Sequence, residues 1–490
     1  MSRVEEDFIG KVSVPSEAYY GIFTVRAGSN FKISPHRPSR TFIRMLALVK
    51  KSAAEANVAT GSIRTRAGSA IARAAKEVAD ELSDEEDSPL SGSTGKSRYA
   101  SAKGKMRFSS QFPLDSFTAG AGTPFNMNMN EVLANRAEEL LGGKKGSYKL
   151  VHPNNQVNMS QSSNDVIPTA IRLTLLSEHP SVVSEAEKLA REIDRKAREF
   201  SSVAKAGRTH LMDAVPLTVG DELSAFSSAL RKDIVRLNAA ADELRELPIG
   251  ATALGSGINT HPAYKRLVVK RIAINTGIRV HEGKNLFRLV SQSSDFAAYS
   301  AALRSLALTM NKLSNDLKLL SSGPNTALGE YLLPEVEPGS SIMPGKVNPS
   351  VPECAEMISN RVLGNDRSVE LATIGGQLQL NVQTPLILHC LTESQLLLAN
   401  GCAMLRKDCI SGLKINREKI RKNLESTLIS LTALAPYFGY AKMSALVKRA
   451  QKEGKGIKQV VLEEKLLTER QFDLLMSEKR LTRPSKKEKL

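Results

Sequence analysis

Tryptophan is absent from this chain of 490 residues, aromatic residues make up only 5% of it, and there are only four cysteines. The cysteines form no Cys-x-x-Cys pair, and no histidine stands at metal-ligand spacing beside them. No uncharged apolar run reaches the roughly 18 residues that a membrane-spanning helix needs. These absences exclude a disulfide-rich secreted domain, a structural zinc site and an integral membrane protein.

Reduced, half-buried thiols are expected, because all four cysteines lie in apolar surroundings: Cys354, Cys390, Cys402 and Cys409. The first residues carry an acidic cluster, Glu5 to Asp7, and lack the apolar centre of a secretory signal. Both features predict a cytoplasmic protein.

The net charge of +17 is the unusual feature of the composition. Such a charge is compatible with a nucleic-acid or anionic-lipid partner, with anionic substrates, or with a basic solvated surface. Two segments have a distinctive charge pattern. Residues 83–110 begin acidic, become rich in Ser and Gly and end basic, which predicts a surface loop or insertion, and residues 479–490 form a basic tail.

Helical periodicity dominates the rest of the chain. An early stripe at spacings of three and four runs from Phe42 to Ala53, and longer ones run from Val182 to Phe200 and from Leu303 to Leu320. Few strand-like alternations occur between about Thr169 and Leu413. The pattern predicts an all-α (mainly α) fold with an elongated central helical bundle, and turns at Ala435-Pro436 and Glu453-Gly454.

Three polar segments interrupt this pattern beside helix starts. The first is split between residues 119–130 and 152–169, where hydroxyls and amides form either an anion cradle or ordinary caps. In the second, residues 207–220, Thr209 and His210 stand at a predicted break between helices; such a His is either structural or functional. In the third, residues 337–353, several Gly and Pro residues predict a lid or a surface loop.

The third segment contains the string GSSIMPGKVNP at residues 339–349, which resembles the fingerprint of the aspartase/fumarase superfamily. The resemblance runs from Asp7 to about Asp473, apart from the segment near 83–110. It implies a homotetramer with a twenty-helix core and active sites shared by three subunits. It also implies an N-terminal domain (1–163), a central bundle domain (164–418), a C-terminal domain (419–478) and the basic tail (479–490).

The resemblance also assigns roles, residue by residue. Ser340 corresponds to the general base, and Glu353 to the carboxylate that orients His210. Contacts with a small dicarboxylate substrate are implied for Thr123, Ser162, Ser163, Asn164, Thr209, Ser341, Lys346 and Asn348. No metal, no cofactor and no membrane partner are expected.

The chemistry implied is the anti elimination of ammonia from L-aspartate, giving fumarate through an aci-carboxylate. Hydroxyl and amide donors are suited to such an oxyanion. Flanking residues such as Tyr19-Tyr20-Gly21 are similar to the corresponding motif of aspartases. In contrast, Ser162-Ser163-Asn164-Asp165 is similar to the motif of fumarases, so fumarate hydratase is the alternative function. A nucleic-acid-binding protein on a lyase fold is a distant third hypothesis, motivated only by the charge.

Overall fold

The structure, a computed structural model, describes residues 1–83 and 107–483. Helices dominate these residues, which confirms the mainly α fold predicted from the periodicity. Their bounds are α1 Ile22–Asn30, α2 Arg40–Ala59, α3 Thr65–Glu81, α4 Thr123–Leu140, α5 Ser163–Glu199, α6 Val219–Glu243, α7 Tyr264–Thr276, α8 Leu286–Ser291, α9 Ser294–Leu320, α10 Ser350–Ile374, α11 Thr384–Met404, α12 Arg417–Ser426, α13 Ala435–Phe438, α14 Tyr440–Glu453, α15 Ile457–Glu463, α16 Glu469–Leu475 and α17 Glu478–Thr482.

The three apolar stripes are the buried faces of α2, α5 and α9. Phe42 and Val49 of α2 are fully buried, as are Leu189 of α5 and Met310 of α9. Ser39 begins α2 by accepting a hydrogen bond from the Phe42 backbone N–H at 3.1 Å, as an N-cap serine does. Sequence periodicity therefore predicted both the existence and the buried face of these helices.

The strands are short and pair two by two: β1 Ser2–Asp7 with β2 Gly10–Pro15, β3 Ala204–Thr209 with β4 Met212–Thr218, β5 Glu246–Leu247 with β6 His281–Glu282, and β7 Tyr331–Leu332 with β8 Lys414–Ile415. The hairpin β3–β4 occupies a segment predicted as a break between helices. The break is confirmed, since α5 ends at Glu199 and α6 begins at Val219. The sequence did not predict that the segment between them is an antiparallel hairpin, with a bulge between Lys205 and Gly207.

Two predicted turns near the C-terminus have different outcomes. Gly454 ends α14 with a left-handed φ of 63°, as predicted. At Ala435-Pro436 the turn prediction was wrong, since Pro436 lies in the first turn of the short helix α13. Proline is tolerated there because the first N–H groups of a helix have no intrahelical acceptor.

The chain forms two compact units. Unit 1 comprises Met1–Ser184, Val235–Ala307 and Asn360–Asn400, and unit 2 comprises Glu185–Ile234, Leu308–Ser359 and Gly401–Leu490. Five long helices contribute residues to both units: α5, α6, α9, α10 and α11. These two units differ from the three domains predicted from the resemblance, and the boundaries of those domains stay a prediction.

Unit 2 contains a separate apolar cluster built by the C-terminal helices. Leu434, Leu446, Val460 and Phe472 are among its buried members. The basic tail predicted after residue 478 is helical through Thr482, and Arg483 forms a bidentate ion pair with Asp221 (2.8 and 2.9 Å). The remainder of the tail lies outside the described residues.

All four cysteines are free, as predicted, and three of them are buried. Burial raises the pKa of Cys402 to about 12. Most of the predicted loop or insertion at 83–110 lies outside the described residues. Across residues 1–83 and 107–483, no helix is both long enough and apolar enough to cross a membrane.

Candidate functional site

The start of α4 presents Thr123. The preceding turn, Gly120–Gly122, has left-handed backbone at Ala121 (φ 57°) and at Gly122 (φ 66°). A Cβ at Gly122 would lie 2.9 Å from Cγ2 of Ile167 on α5. Only glycine therefore lets the chain turn into α4 while its backbone packs directly on α5, and this contact brings the two helix N-termini together.

The start of α5 presents the next three predicted residues. Ser162 lies just before the helix, and its Oγ accepts from the Asn164 backbone N–H at 3.2 Å. Ser163 accepts a hydrogen bond from Asn126 Nδ2 on α4 at 3.1 Å. Asn164 donates its side-chain amide to the Ala253 carbonyl at 2.9 Å. Unit 1 thus gathers Thr123, Ser162, Ser163 and Asn164 at two adjoining helix N-termini, where backbone N–H groups favour anions.

Asp165 fixes the backbone around Ser162 and Asn164 through hydrogen bonds. Its carboxylate accepts the backbone N–H groups of Ser162 (2.9 Å), Gly250 (3.1 Å) and Thr252 (2.8 Å). The side chain is fully buried, and burial raises its pKa to about 7 despite these hydrogen bonds. Asp165 therefore ties the turn at Ser162 to the segment that bonds Asn164.

Lys50 on α2 is the cation of this region. It is fully buried, and its Nζ donates to Asn158 Oδ1 (3.0 Å) and Gln161 Oε1 (2.9 Å). Burial lowers its pKa to about 7, although the charge of Asp165 acts in the opposite direction. Asn158 Oδ1 also accepts from Asn126 (3.1 Å), the amide that bonds Ser163.

Sequence reasoning did not single out Lys50, which reads as one more surface lysine beside Lys51. A signal existed, because Lys50 stands one helical turn after Leu46 and next to Val49 on the buried side of α2. A lysine on such a face needs polar partners from elsewhere, and residues 158 and 161 supply them.

In unit 2 the tip of the β3–β4 hairpin presents Thr209 and His210. Thr209 pairs with Met212 across the ladder, which leaves His210 and Leu211 as a two-residue loop. Both have left-handed φ angles, 55° and 62°. Type I′ loops of this kind favour Asn and Gly, and bulkier residues are strained there. Both predicted residues are exposed.

The loop after β7 presents Ser340, the predicted base. Its Oγ accepts the backbone N–H groups of Ile342 (3.2 Å) and Met343 (3.1 Å). Donors that converge on an oxygen stabilise its deprotonated form. The Ser340 Oγ is thus the acceptor of two backbone donors within its own loop.

The remaining loop residues have different environments. Asn348 is half-buried and donates its amide to the Gly339 carbonyl at 2.7 Å, which closes the loop, whereas Ser341 and Lys346 are exposed. Gly339 lies against the returning chain: a Cβ there would stand 2.4 Å from the Lys346 carbonyl oxygen.

The predicted partnership between His210 and Glu353 is not formed within the described part of the chain. Glu353 lies in the first turn of α10 and is exposed, and no hydrogen bond or ion pair joins it to His210 in residues 1–83 and 107–483. The eleven predicted residues therefore fall into two groups, four in unit 1 and seven in unit 2. The described residues contain no cluster of three or more His, Cys, Asp or Glu side chains that could hold a metal ion.

Family models match most of the chain. A model described as lyase matches residues 10–106 and 98–364, and a model described as the C-terminus of fumarase C matches residues 431–483. The chain belongs to the aspartase/fumarase superfamily. This confirms the resemblance seen at residues 339–349.

Similar proteins in the superfamily match over almost their full length. The aspartate ammonia-lyase of Pseudomonas aeruginosa is 41% identical over 97% of this chain and 96% of its own. A fumarate lyase:delta crystallin from Brucella melitensis, solved bound to cobalt, has a TM-score of 0.90 and 39% identity, covering 99% and 100% of the two chains. A class II fumarase from Schistosoma mansoni has a TM-score of 0.89 and 33% identity, covering 98% of each.

Proposed function

We propose that this enzyme is a carbon–nitrogen lyase that eliminates ammonia from L-aspartate to give fumarate, reversibly, with Ser340 as the general base. The observation that carries the proposal is the pair of backbone N–H groups on Ser340 Oγ. The choice of aspartate is supported by full-length curated relatives named aspartate ammonia-lyase, among them those of Pseudomonas aeruginosa and Escherichia coli at 41% and 40% identity.

Proton removal is the difficult step, because the C3 hydrogen of aspartate is weakly acidic. In the proposed mechanism the Ser340 alkoxide takes this proton, and the electron pair of the C–H bond moves into the adjacent carboxylate to form an aci-carboxylate. Preorganised donors aimed at that oxyanion lower the barrier most. The hydroxyls of Thr123, Ser162, Ser163 and Ser341 take this role.

Expulsion of ammonia completes the reaction. The electrons of the aci-carboxylate return to form the C2–C3 double bond while the C–N bond breaks. Asn164, Thr209 and His210 contact the leaving group, and Glu353 orients His210. Lys346 holds the other carboxylate as a point charge. A side-chain N–H of Asn348 assists it, while the other N–H of the same amide donates to the Gly339 carbonyl.

We further propose a homotetramer in which three subunits share each active site. Large apolar side chains exposed on the long helices support burial against further copies. Among them are Val235, Leu308, Met357 and Ile374, which are 64%, 49%, 65% and 74% exposed. In such an assembly, the exposed Thr209 and His210 would meet groups from another subunit.

Fumarate hydratase is the second candidate, because the same hydroxyl groups suit elimination of water from L-malate and a class II fumarase shares the fold. Purified enzyme is mixed with L-aspartate or with L-malate while fumarate is followed by ultraviolet absorbance. Turnover of aspartate supports the proposal, and turnover of malate alone refutes it.

The base assignment has its own test. We expect Ser340→Ala to lower kcat by about 10²-fold or more, as loss of a general base does. Stability should change little, because Ile342 and Met343 are exposed and their N–H groups can bond water. Ser350→Ala, which removes a hydroxyl at the start of α10, is the matched control. Retention of near-wild-type kcat by Ser340→Ala contradicts the assignment.

A further inference from the structure

Unit 2 contains a buried group of charged side chains that the proposed reaction does not use. We call it the Glu330 cluster, and its members are Lys205, Arg208, Glu222, Glu330, Tyr331 and Asn423. Glu330 is fully buried and Lys205 is 1% exposed. Two carboxylates face two cations, so the cluster has no net charge, as burial requires.

Glu330 is the centre of the cluster. Its Oε1 accepts from Arg208 Nη2 (2.7 Å) and Asn423 Nδ2 (2.9 Å), and its Oε2 lies 3.0 Å from Lys205 Nζ. Burial acts to raise the pKa of this carboxyl, but Arg208, Lys205 and Asn423 outweigh burial and hold it below the usual value. Glu330 is therefore ionised in the folded protein.

The backbone of Glu330 is fixed as firmly as its side chain. Its N–H donates to the Leu320 carbonyl at the end of α9, and its carbonyl accepts from the Asn416 N–H before α12, both at 2.9 Å. The carboxylate thus projects from a rigid point towards strand β3. The second carboxylate, Glu222, accepts two bonds from Lys205 (2.9 and 2.8 Å) and one from the Tyr331 hydroxyl (2.5 Å).

Arg208 is the residue through which this anchor reaches the candidate site. It directly precedes Thr209 and His210, and Glu330 is its only carboxylate partner among the described residues. Beyond Arg208 the hairpin tip is exposed, and His210 and Leu211 have left-handed backbone. Such a conformation persists only where the surrounding structure imposes it, and the ion pair of Arg208 with Glu330 fixes the residue that directly precedes the tip.

We infer that Glu330 is a positioning residue for the candidate leaving-group contacts: through Arg208 it fixes the β3–β4 hairpin and so places Thr209 and His210. Glu330 does not itself touch substrate. The catalytic part of this inference rests on the proposed function, whereas the ordering of the hairpin does not.

The first experiment measures the hairpin without any substrate. Hydrogen–deuterium exchange is compared between wild type, Glu330→Gln and Glu185→Gln. Glu185 is a matched control in the same unit, because it is also buried and bonded by two cations, Lys188 (2.6 Å) and Arg406 (3.1 Å). We expect exchange of amides in 204–218 to rise about ten-fold or more in Glu330→Gln only. Equal protection in all three proteins overturns the inference.

The second experiment is a double-mutant cycle with His210→Ala, read as kcat/KM for L-aspartate. We expect Glu330→Gln to lower kcat/KM about ten-fold in wild type and less than about two-fold in the His210→Ala background, because coupled residues are non-additive. Glu185→Gln should stay within about two-fold of wild type. An equal loss in both backgrounds, or an equal loss in Glu185→Gln, identifies general destabilisation and overturns the inference.

Two further outcomes are distinguishable. If Glu330→Gln does not fold, Arg208→Lys replaces it in both experiments, since lysine keeps the charge but loses the guanidinium Nη2 that donates to Glu330 Oε1. If wild-type enzyme does not turn over aspartate, the proposed function fails, and the exchange experiment still decides whether Glu330 orders the hairpin.

Discussion

Replacing Lys50 by methionine should abolish a pH dependence that the buried amine gives to stability. Lys50 is fully buried on α2, with its Nζ bonded to Asn158 and Gln161, and burial lowers its pKa from 10.5 to about 7. Between these two values the unfolded chain holds a proton that the folded protein lacks. The free energy of unfolding must therefore rise with pH in this range.

The magnitude follows from the shift. Each pH unit between the two pKa values changes the free energy of unfolding by about 1.4 kcal/mol, which gives about 3 kcal/mol between about pH 7 and about pH 9.5. Methionine has a similar length and no proton to lose, so this contribution disappears in Lys50→Met. Removing the cation also raises the pKa of Asp165 further, which lowers the variant's stability as pH rises and enlarges the difference.

Urea unfolding at fixed protein concentration is the assay, because assembly makes the midpoint depend on concentration. Wild type, Lys50→Met and the neighbour control Lys51→Met are each measured at both pH values. Between the two pH values, we expect the free energy of unfolding of wild type and of Lys51→Met to rise by the same amount. This rise should exceed the change in Lys50→Met by about 3 kcal/mol. Parallel curves for wild type and Lys50→Met refute the reasoning, since they mean that the native protein keeps the Lys50 ammonium charged.

Two further predictions concern backbone conformation. Gly122→Ala combines a left-handed φ of 66° with a Cβ 2.9 Å from Ile167, so we expect a loss of about 1–3 kcal/mol in urea unfolding and lower kcat/KM, and unchanged stability contradicts the packing argument. Leu211→Gly removes strain at a φ of 62° in an exposed position, so we expect a gain of up to about 1 kcal/mol in stability. A loss of stability there means that the leucine side chain has a partner.

Some of the site was predictable because it is written in local sequence. The string at 339–349 predicts Ser340 as the base, and the two backbone donors to its Oγ come from residues two and three positions later. Ser162 was equally visible as a helix start. Hydrogen bonds of this kind join residues that are close in the sequence, so the local sequence is enough to predict them.

The hairpin that carries His210 was not predictable in the same way. Gly207 and Pro216 suggest a break, and the loop residues His210 and Leu211 lack the Asn-Gly pattern that marks a type I′ turn. A Cβ at Gly207 would lie 2.4 Å from the Val215 carbonyl oxygen, so this glycine serves strand packing rather than a break.

The sequence by itself determined the helical class and the buried faces of α2, α5 and α9, because these depend on residue spacing within a few turns. It also singled out the hydroxyl-rich loop at 339–349, because that string is continuous in the sequence. Only the tertiary structure decided which charged residues are buried together. Lys50 forms a hydrogen bond with a side chain more than 100 positions away, and Arg208 does the same with Glu330. Periodicity is a local property, whereas the pairing of a buried charge depends on which distant segment packs against it.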